Sequence, residues 1–140
     1  MEASAWSTIV SELSQADVAV CVKAAERLQA NASAVDIPNL LKLLQSNDFF
    51  VREAAAWPLA ELAGPSVLRE LFAAYQRGFD EGHDNDGFTA ALLEIPACHS
   101  NVARTAIESI ARSSEEPMRG HAEWLLEFCI GGPGAAADDA

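Results

Sequence analysis

The chain has 140 residues, half of them apolar, and its 21 acidic residues outnumber 9 lysines and arginines to give a formal net charge of −12. This length suits one domain with a continuous core, and the negative charge repels phosphate backbones, which argues against a nucleic-acid partner. No stretch approaches about 18 uninterrupted apolar residues, and the first residues lack a basic start before an apolar run, so we expect a cytoplasmic protein without a membrane span.

Apolar residues recur at helical spacing and predict four helical hairpins in chain order. Asp17, Asp36 and Asp48 are expected to cap helices, Pro58 should bend the fourth helix, and Gly64 should end it. The predicted helices cover 4–14, 17–30, 36–46, 48–64, 67–79, 87–98, 101–113 and 117–130. Residues 131–140 hold too little apolar surface to fold, which predicts a domain over 1–130 followed by a loose tail.

The fourth predicted helix carries a pattern that recurs in the chain. Val51, Ala55 and Leu59 lie on one of its faces. The same spacing is found at Val20, Ala24 and Leu28, at Phe88, Leu92 and Pro96, and at Met118, Ala122 and Leu126. Unit lengths of about 30 to 38 residues are typical of helical repeat arrays, in which a hairpin buries its apolar stripe against a neighbouring hairpin.

Residues 40–64, LLKLLQSNDFFVREAAAWPLAELAG, resemble a HEAT repeat. They contain a leucine-rich first helix, an aspartate at the turn, Val-Arg opening the second helix and a small-residue pair before the last leucine. The resemblance implies an all-α fold, a short right-handed α-solenoid of about four HEAT-like hairpins. It also implies a binding scaffold, and the chain is similar in size and charge to small acidic bacterial immunity proteins of this class.

The function that we expect is protein binding. As an immunity protein, the chain would neutralise a basic toxin or effector domain by occluding its active site; as the alternative, it would be a scaffold or adaptor for a peptide or protein. An enzyme is not expected, because no phosphate loop, metal-ligand spacing or nucleophile elbow is found. Cys21, Cys98 and Cys129 lack a CxxC pair, which predicts reduced thiols, and no metal or cofactor is expected. The oligomeric state stays open.

Alignment of the second helices of the hairpins predicts one candidate binding surface. Glu26, Trp57, Glu94 and Trp124 take equivalent positions away from the core stripe, so in a stacked array they would form a column along the concave side. Tryptophans beside charged groups are common at interface hot spots. The residues expected to flank this column are Arg52, Glu53, Glu61, Glu123 and Glu127. In the alternative interpretation, both tryptophans pack between units, and Arg52 and Arg119 pair with turn aspartates of adjacent units, as is common in HEAT-like stacks.

The polar loop 80–86 is the second candidate. Its members are Asp80, Glu81, His83, Asp84, Asn85 and Asp86. A calcium loop does not fit, because with Gly87 at the sixth position the first and twelfth ligand positions fall on Gly82 and Leu93. Two interpretations remain: a solvated loop whose Asp86 caps the next helix, or a partner-binding loop whose four carboxylates repel one another until a cation approaches.

Overall fold

The computed structural model describes residues 1–129, and within this range the protein is all-α. The helices are α1 (Ala3–Leu13), α2 (Val18–Asn31), α3 (Ile37–Leu43), α4 (Phe49–Leu62), α5 (Leu68–Asp80), α6 (Asp86–Cys98), α7 (Ser100–Ser113) and α8 (Met118–Leu126). Short 3-10 turns at Ala34–Asp36 and Gly64–Val67 precede α3 and α5. None of these helices has the length and apolar character needed to cross a membrane. The predicted tail, 131–140, lies outside the described residues.

All of the predicted helices occur, and two of the predicted N-caps are confirmed. Asp17 accepts a hydrogen bond from the backbone N–H of Ala19 at 2.9 Å, and Asp48 accepts one from that of Phe50 at 2.9 Å. Asp36 does not cap α3. Its carboxylate instead accepts from the backbone N–H of Ser33 and from the amino group of Met1, so the third prediction was wrong because closer donors compete for this side chain.

The end of α4 depends on a glycine and a histidine. Pro58 lies inside α4 without ending it, and Gly64 follows with a φ of 36°. The Nε2 atom of His99 lies 3.0 Å from the carbonyl oxygen of Ala60 and 2.9 Å from that of Glu61, which have no amide partner in the last turn. A Cβ on Gly64 would approach His99 Cδ2 to 2.5 Å, so this position needs glycine for its space and for its backbone angle.

Three of the second helices, α2, α4 and α6, form a row that α8 does not continue. Helices α2, α4 and α6 lie side by side, with α1 against α2 and α3 against α4. In the last hairpin α7 packs against α6, whereas α8 packs mainly against α7 and α5. The predicted equivalence of α8 with the other second helices is therefore wrong. The connection explains the change, since α6 and α7 are joined only by His99, whose contact with the end of α4 holds α7 on that side.

The core runs through all of the hairpins. Its largest fully buried apolar side chains are Leu13, Leu28, Leu40, Leu59, Leu68, Leu71, Phe72, Phe88, Leu92, Ile95 and Ile107. Val102 is 55% exposed, because α7 turns Ala103 and Ile107 to the core. Within residues 1–129 the three cysteines are free thiols; Cys21 and Cys129 are buried and Cys98 is exposed.

Arg52 is fully buried and joins α4 to the end of α5. Its Nη2 donates to Glu81 Oε1 at 2.5 Å, and its Nη1 donates to the carbonyl oxygen of Ser46 at 2.9 Å. Arg77 reaches the same two residues, with Nε donating to Glu81 Oε2 at 2.8 Å and Nη1 to the Ser46 carbonyl at 3.2 Å. Hydrogen bonds from Arg77 and then Arg52 lower the pKa of Glu81 to about 2.

Glu81→Gln is expected to destabilise the protein, because Arg52 then keeps a buried charge without its balancing carboxylate. We expect the melting temperature to fall by on the order of 5 °C. Adding Arg52→Met removes the buried charge, and the Ser46 carbonyl keeps Arg77 as a donor, so the double variant should melt above the Glu81→Gln variant. Circular dichroism measures both, and a double variant that melts lower would contradict the account.

Acid should weaken this network between about pH 4.5 and pH 2. The folded chain lowers the pKa of Glu81 from 4.5 to about 2, so its contribution to stability is complete above pH 4.5 and is lost as the pH falls through this window. Urea unfolding of the unaltered chain and of Glu81→Gln should give midpoints that converge as the pH approaches 2. A gap that is independent of pH would show that the charge of Glu81 is not involved.

Candidate protein-binding groove

Helices α2 and α4 enclose a solvent-open groove with a cavity of about 170 Å³. Its walls combine aliphatic, aromatic and carboxylate side chains. The lining residues are Val22, Ala25, Glu26, Gln29, Phe50, Glu53, Ala54 and Trp57. The groove therefore brings together Glu26, Glu53 and Trp57, three of the residues predicted to form a binding surface.

The helical spacing of α4 places its polar and aromatic positions toward this groove. Val51, Ala55 and Leu59 are buried, whereas Glu53, Trp57 and Glu61 follow one another at four-residue intervals on the other side of the helix. Trp57 is partly buried against the core. One face of α4 thus anchors the helix in the core while the other supplies a mixed aromatic and acidic surface.

Four carboxylates, which we call the acidic face, lie along α2, α4 and α6: Glu26, Glu53, Glu61 and Glu94. Glu61 accepts a hydrogen bond from Gln29 of α2, and Glu94 on α6 accepts one from the thiol of Cys98 at 3.5 Å. Desolvation of the Cys98 thiol, its hydrogen bond to Glu94 and the charges of Glu94 and Glu61 together raise the pKa of that thiol. In the described part of the chain, no member of the acidic face forms an ion pair with lysine or arginine.

Glu53 has the most perturbed environment on the acidic face. Its carboxylate packs against the start of α6, where a Cβ on Gly87 would approach Glu53 Cδ to 2.7 Å. Desolvation, and then the charge of Asp84, raise the pKa of Glu53. Within residues 1–129 no Lys or Arg pairs with this carboxylate. Glu53 is therefore a half-buried acid at the start of α6 without a Lys or Arg counterion in the described residues.

A larger cavity of about 580 Å³ lies beside α1 and α2, and its lining includes Glu2, Thr8, Arg27 and Asn31. Arg27 is already paired with Glu12. The one arginine that lines this cavity is therefore already paired within the fold. We expect the cavity to attract a charged partner less strongly than the groove between α2 and α4.

The prediction that Arg52 and Asn85 contact a partner is wrong, because both are buried. Arg52 serves the network at the end of α5, where its acidic partner is Glu81. The alternative interpretation predicted turn aspartates of adjacent units for Arg52 and Arg119, but Arg119 lies beside Glu116 and Glu123 of its own segment. Asn85 precedes α6, and its Nδ2 donates to the carbonyl oxygen of Tyr75 at 2.9 Å. Polar residues of this kind are readily mistaken for surface groups, since burial depends on which neighbour covers them.

The acidic loop is shorter than expected, because α5 extends through Asp80. Asp80 accepts from Gln76 at 2.8 Å, Glu81 binds the two arginines, and Asp84 accepts from the backbone N–H of Asp86 at 2.9 Å. Asp86 itself is the first residue of α6, so the expectation that it caps this helix was wrong. These carboxylates face separate donors and do not converge on one point.

One face of the His83 ring is covered, since it stacks on the ring of Phe49 with the ring centroids 4.4 Å apart. Its Nε2 lies 3.4 Å from Glu81 Oε1. The loop therefore adds His83 to the network around Arg52. The charge of Asp84 acts on the carboxylate of Glu53 at the start of α6.

The residues predicted on α8 lie outside the groove. Trp124 stacks on Tyr75 of α5 with the ring centroids 6.2 Å apart, and Phe128 lies 5.5 Å from Trp124. Glu123 lies 3.9 Å from Arg119, and Glu127 is exposed at the end of the helix. Because α8 packs on α5, these residues form no column with Glu26, Trp57 and Glu94.

Sequence reasoning missed an aromatic patch between α5 and α8, formed by Tyr75, Phe79, His121, Trp124 and Phe128. Phe79 is 49% exposed and Phe128 is 51% exposed. His121 Nε2 lies 2.8 Å from Gln76 Oε1, and desolvation lowers the pKa of this histidine. The aromatic spacing within each helix was the available signal, but it did not show that the two helices meet.

Glu53→Gln should raise the urea midpoint of unfolding at neutral pH. The folded chain raises the pKa of Glu53 above 4.5, so ionised Glu53 reduces stability, and the gain from Gln should vanish below pH 4.5, where Glu53 is protonated in both states. Glu127→Gln, at an exposed position, is the matched control and should change the midpoint less. A lower midpoint for Glu53→Gln would show that its charge stabilises the fold.

Comparison of the chain with protein-family models, with curated proteins and with solved structures gave no match. The groove and the acidic face are therefore interpreted from their own chemistry.

Proposed function

We propose that the chain is a protein-binding module that receives a basic protein partner on its acidic face, with the groove between α2 and α4 at the centre of the contact. The first three hairpins would act as a short HEAT-like stack, with α2, α4 and α6 as its binding side. The observation that carries the proposal is the acidic face itself: its four carboxylates form no ion pair with lysine or arginine in the described residues, and that of Glu53 is packed against Gly87 at the start of α6. Cations supplied by a partner would offset these unpaired charges.

The partner that we propose is a basic toxin or effector domain, whose active site the chain occludes as an immunity protein. A net charge of −12 speeds the approach of a basic domain and disfavours acidic competitors. Trp57 and Phe50 supply the apolar area that an anchoring contact needs. Binding alone would give neutralisation, without any chemical step on the side of this chain.

A scaffold or adaptor is the second candidate, and the aromatic patch favours it. Phe79 and Phe128 expose rings on α5 and at the end of α8, elements that contribute no residue to the groove. An adaptor needs two separate surfaces, whereas an inhibitor needs one. A partner count therefore distinguishes the two proposals.

Co-expression with the product of the adjacent gene tests the immunity proposal. That product should arrest bacterial growth, and the unaltered chain should restore it. Glu26→Gln combined with Glu53→Gln removes two charges of the acidic face while preserving shape, so it should weaken binding by on the order of tenfold or more. Isothermal titration calorimetry on the purified pair measures the change.

Glu123→Gln combined with Glu127→Gln is the matched control, since it removes the same charge from α8 outside the groove. It should protect growth as the unaltered chain does. Equal weakening by both pairs would mean that net charge, and not the groove, sets affinity. A stable complex with several unrelated proteins and no growth arrest would favour the adaptor.

A further inference from the structure

Helices α5 and α8 run side by side in the same direction. Three contacts join residues that are 49 positions apart in the chain: Arg69 with Met118, Phe72 with His121, and Tyr75 with Trp124. A constant offset arises when both helices advance together, and steps of three residues keep the contacts on one face of each helix. The two helices therefore form a parallel seam.

The end of this seam is open. The same offset pairs Phe79 with Phe128, which are 49% and 51% exposed. The ring centroids of Phe79 and Tyr75 are 4.9 Å apart, and those of Phe128 and Trp124 are 5.5 Å apart, so both exposed rings belong to the aromatic patch. Every other Phe, Tyr or Trp side chain in residues 1–129 is buried or half-buried. Exposed rings gathered at one place mark a contact site, because a partner that covers them removes apolar surface from water.

The parallel seam fits a helix as its occupant. Two parallel helices leave a groove between them, and a third helix packs into such a groove with apolar residues three and four positions apart. An extended peptide that adds to a sheet would need a strand edge, which residues 1–129 do not provide. The occupant that matches this surface is therefore an amphipathic helix.

The charges at this end of the seam favour a basic helix. Asp80 accepts from Gln76 Nε2 at 2.8 Å, and Gln76 Oε1 lies 2.8 Å from His121 Nε2, which places the Asp80 carboxylate beside the patch. Glu127 is exposed next to Phe128. Because the helices are parallel, both also turn their C-terminal ends, which carry partial negative charge, to this side.

The arginines of α5 and α8 are already engaged within the fold. Their contacts are those of Arg69 with Ser113 and Ser114, of Arg77 with Glu81, and of Arg119 with Glu116 and Glu123. A second copy of the chain would bring the same acids to the contact, and residues 130–140 contain two aspartates without a lysine or arginine. A basic partner supplies the complementary charge that both of these occupants lack.

We propose that the aromatic patch is the docking site for an amphipathic helix of a protein partner, apolar at three- and four-residue spacing and bordered by lysine or arginine. Phe79 and Phe128 supply the contact area, and Trp124 lies between them and the core of the seam. The patch shares no residue with the acidic face. This inference therefore concerns a second contact and does not rest on the binding of a toxin.

Nuclear magnetic resonance of the full chain tests the site, with a synthetic amphipathic helix of leucine and lysine as the probe. The indole N–H signals of Trp6, Trp57 and Trp124 report on separate places, and we expect a saturable shift at Trp124. A peptide of the same composition in scrambled order loses the apolar face and should bind about tenfold more weakly, as should a version with glutamate in place of lysine.

Phe79→Gln combined with Phe128→Gln should weaken the probe by on the order of tenfold or more. Val18→Gln combined with Val35→Gln is the matched control, since these side chains are 74% and 78% exposed elsewhere, and it should leave binding at Trp124 unchanged. Circular dichroism checks that each variant is folded. Should the double variant unfold, Phe128→Gln alone, beyond the end of α8, must still weaken the probe.

Three results would overturn the site. Equal binding of the scrambled peptide would remove the helix, and a shift at Trp57 with none at Trp124 would place the probe in the groove between α2 and α4. A dimer of the chain in sedimentation that Phe79→Gln with Phe128→Gln dissociates would assign the patch to a second copy. Glu26→Gln with Glu53→Gln should leave the Trp124 shift unchanged, so failure of this site and failure of the acidic face are separate results.

Discussion

The buried guanidinium of Arg52, balanced by Glu81, is the constraint on which the arrangement depends. It draws the turn before α4, through the Ser46 carbonyl, against the end of α5. A charge in the interior is tolerated only with such a partner, so the position of Arg52 is closely defined. Glu53, the next residue, is turned by about 100° from Arg52 around α4, and its carboxylate packs against Gly87 at the start of α6.

The acidic residues of the chain divide into two groups by their partners. Glu81 binds two arginines, and Glu12 and Glu108 each pair with one, so these acids support the fold. Those of the acidic face pair with no lysine or arginine in the described residues, and at Glu53 the raised pKa means that the charge opposes folding.

The departure of α8 from the row of second helices separates two surfaces. It removes Trp124 from the groove and places it on Tyr75, beside the exposed rings of Phe79 and Phe128. The groove is left with one tryptophan, Trp57, from α4. The aromatic patch, in contrast, offers apolar area and is a candidate for a different contact.

The sequence alone determined the helices, the caps at Asp17 and Asp48, and the left-handed backbone of Gly64. Helical spacing, capping and backbone angle all depend on residues that are close in the chain. The acidic spacing of α4 was equally local. Tertiary structure decided that Arg52 is buried and that Trp124 meets Tyr75. Such burial depends on which distant element covers a helix face, and the helical period of one segment does not contain that information.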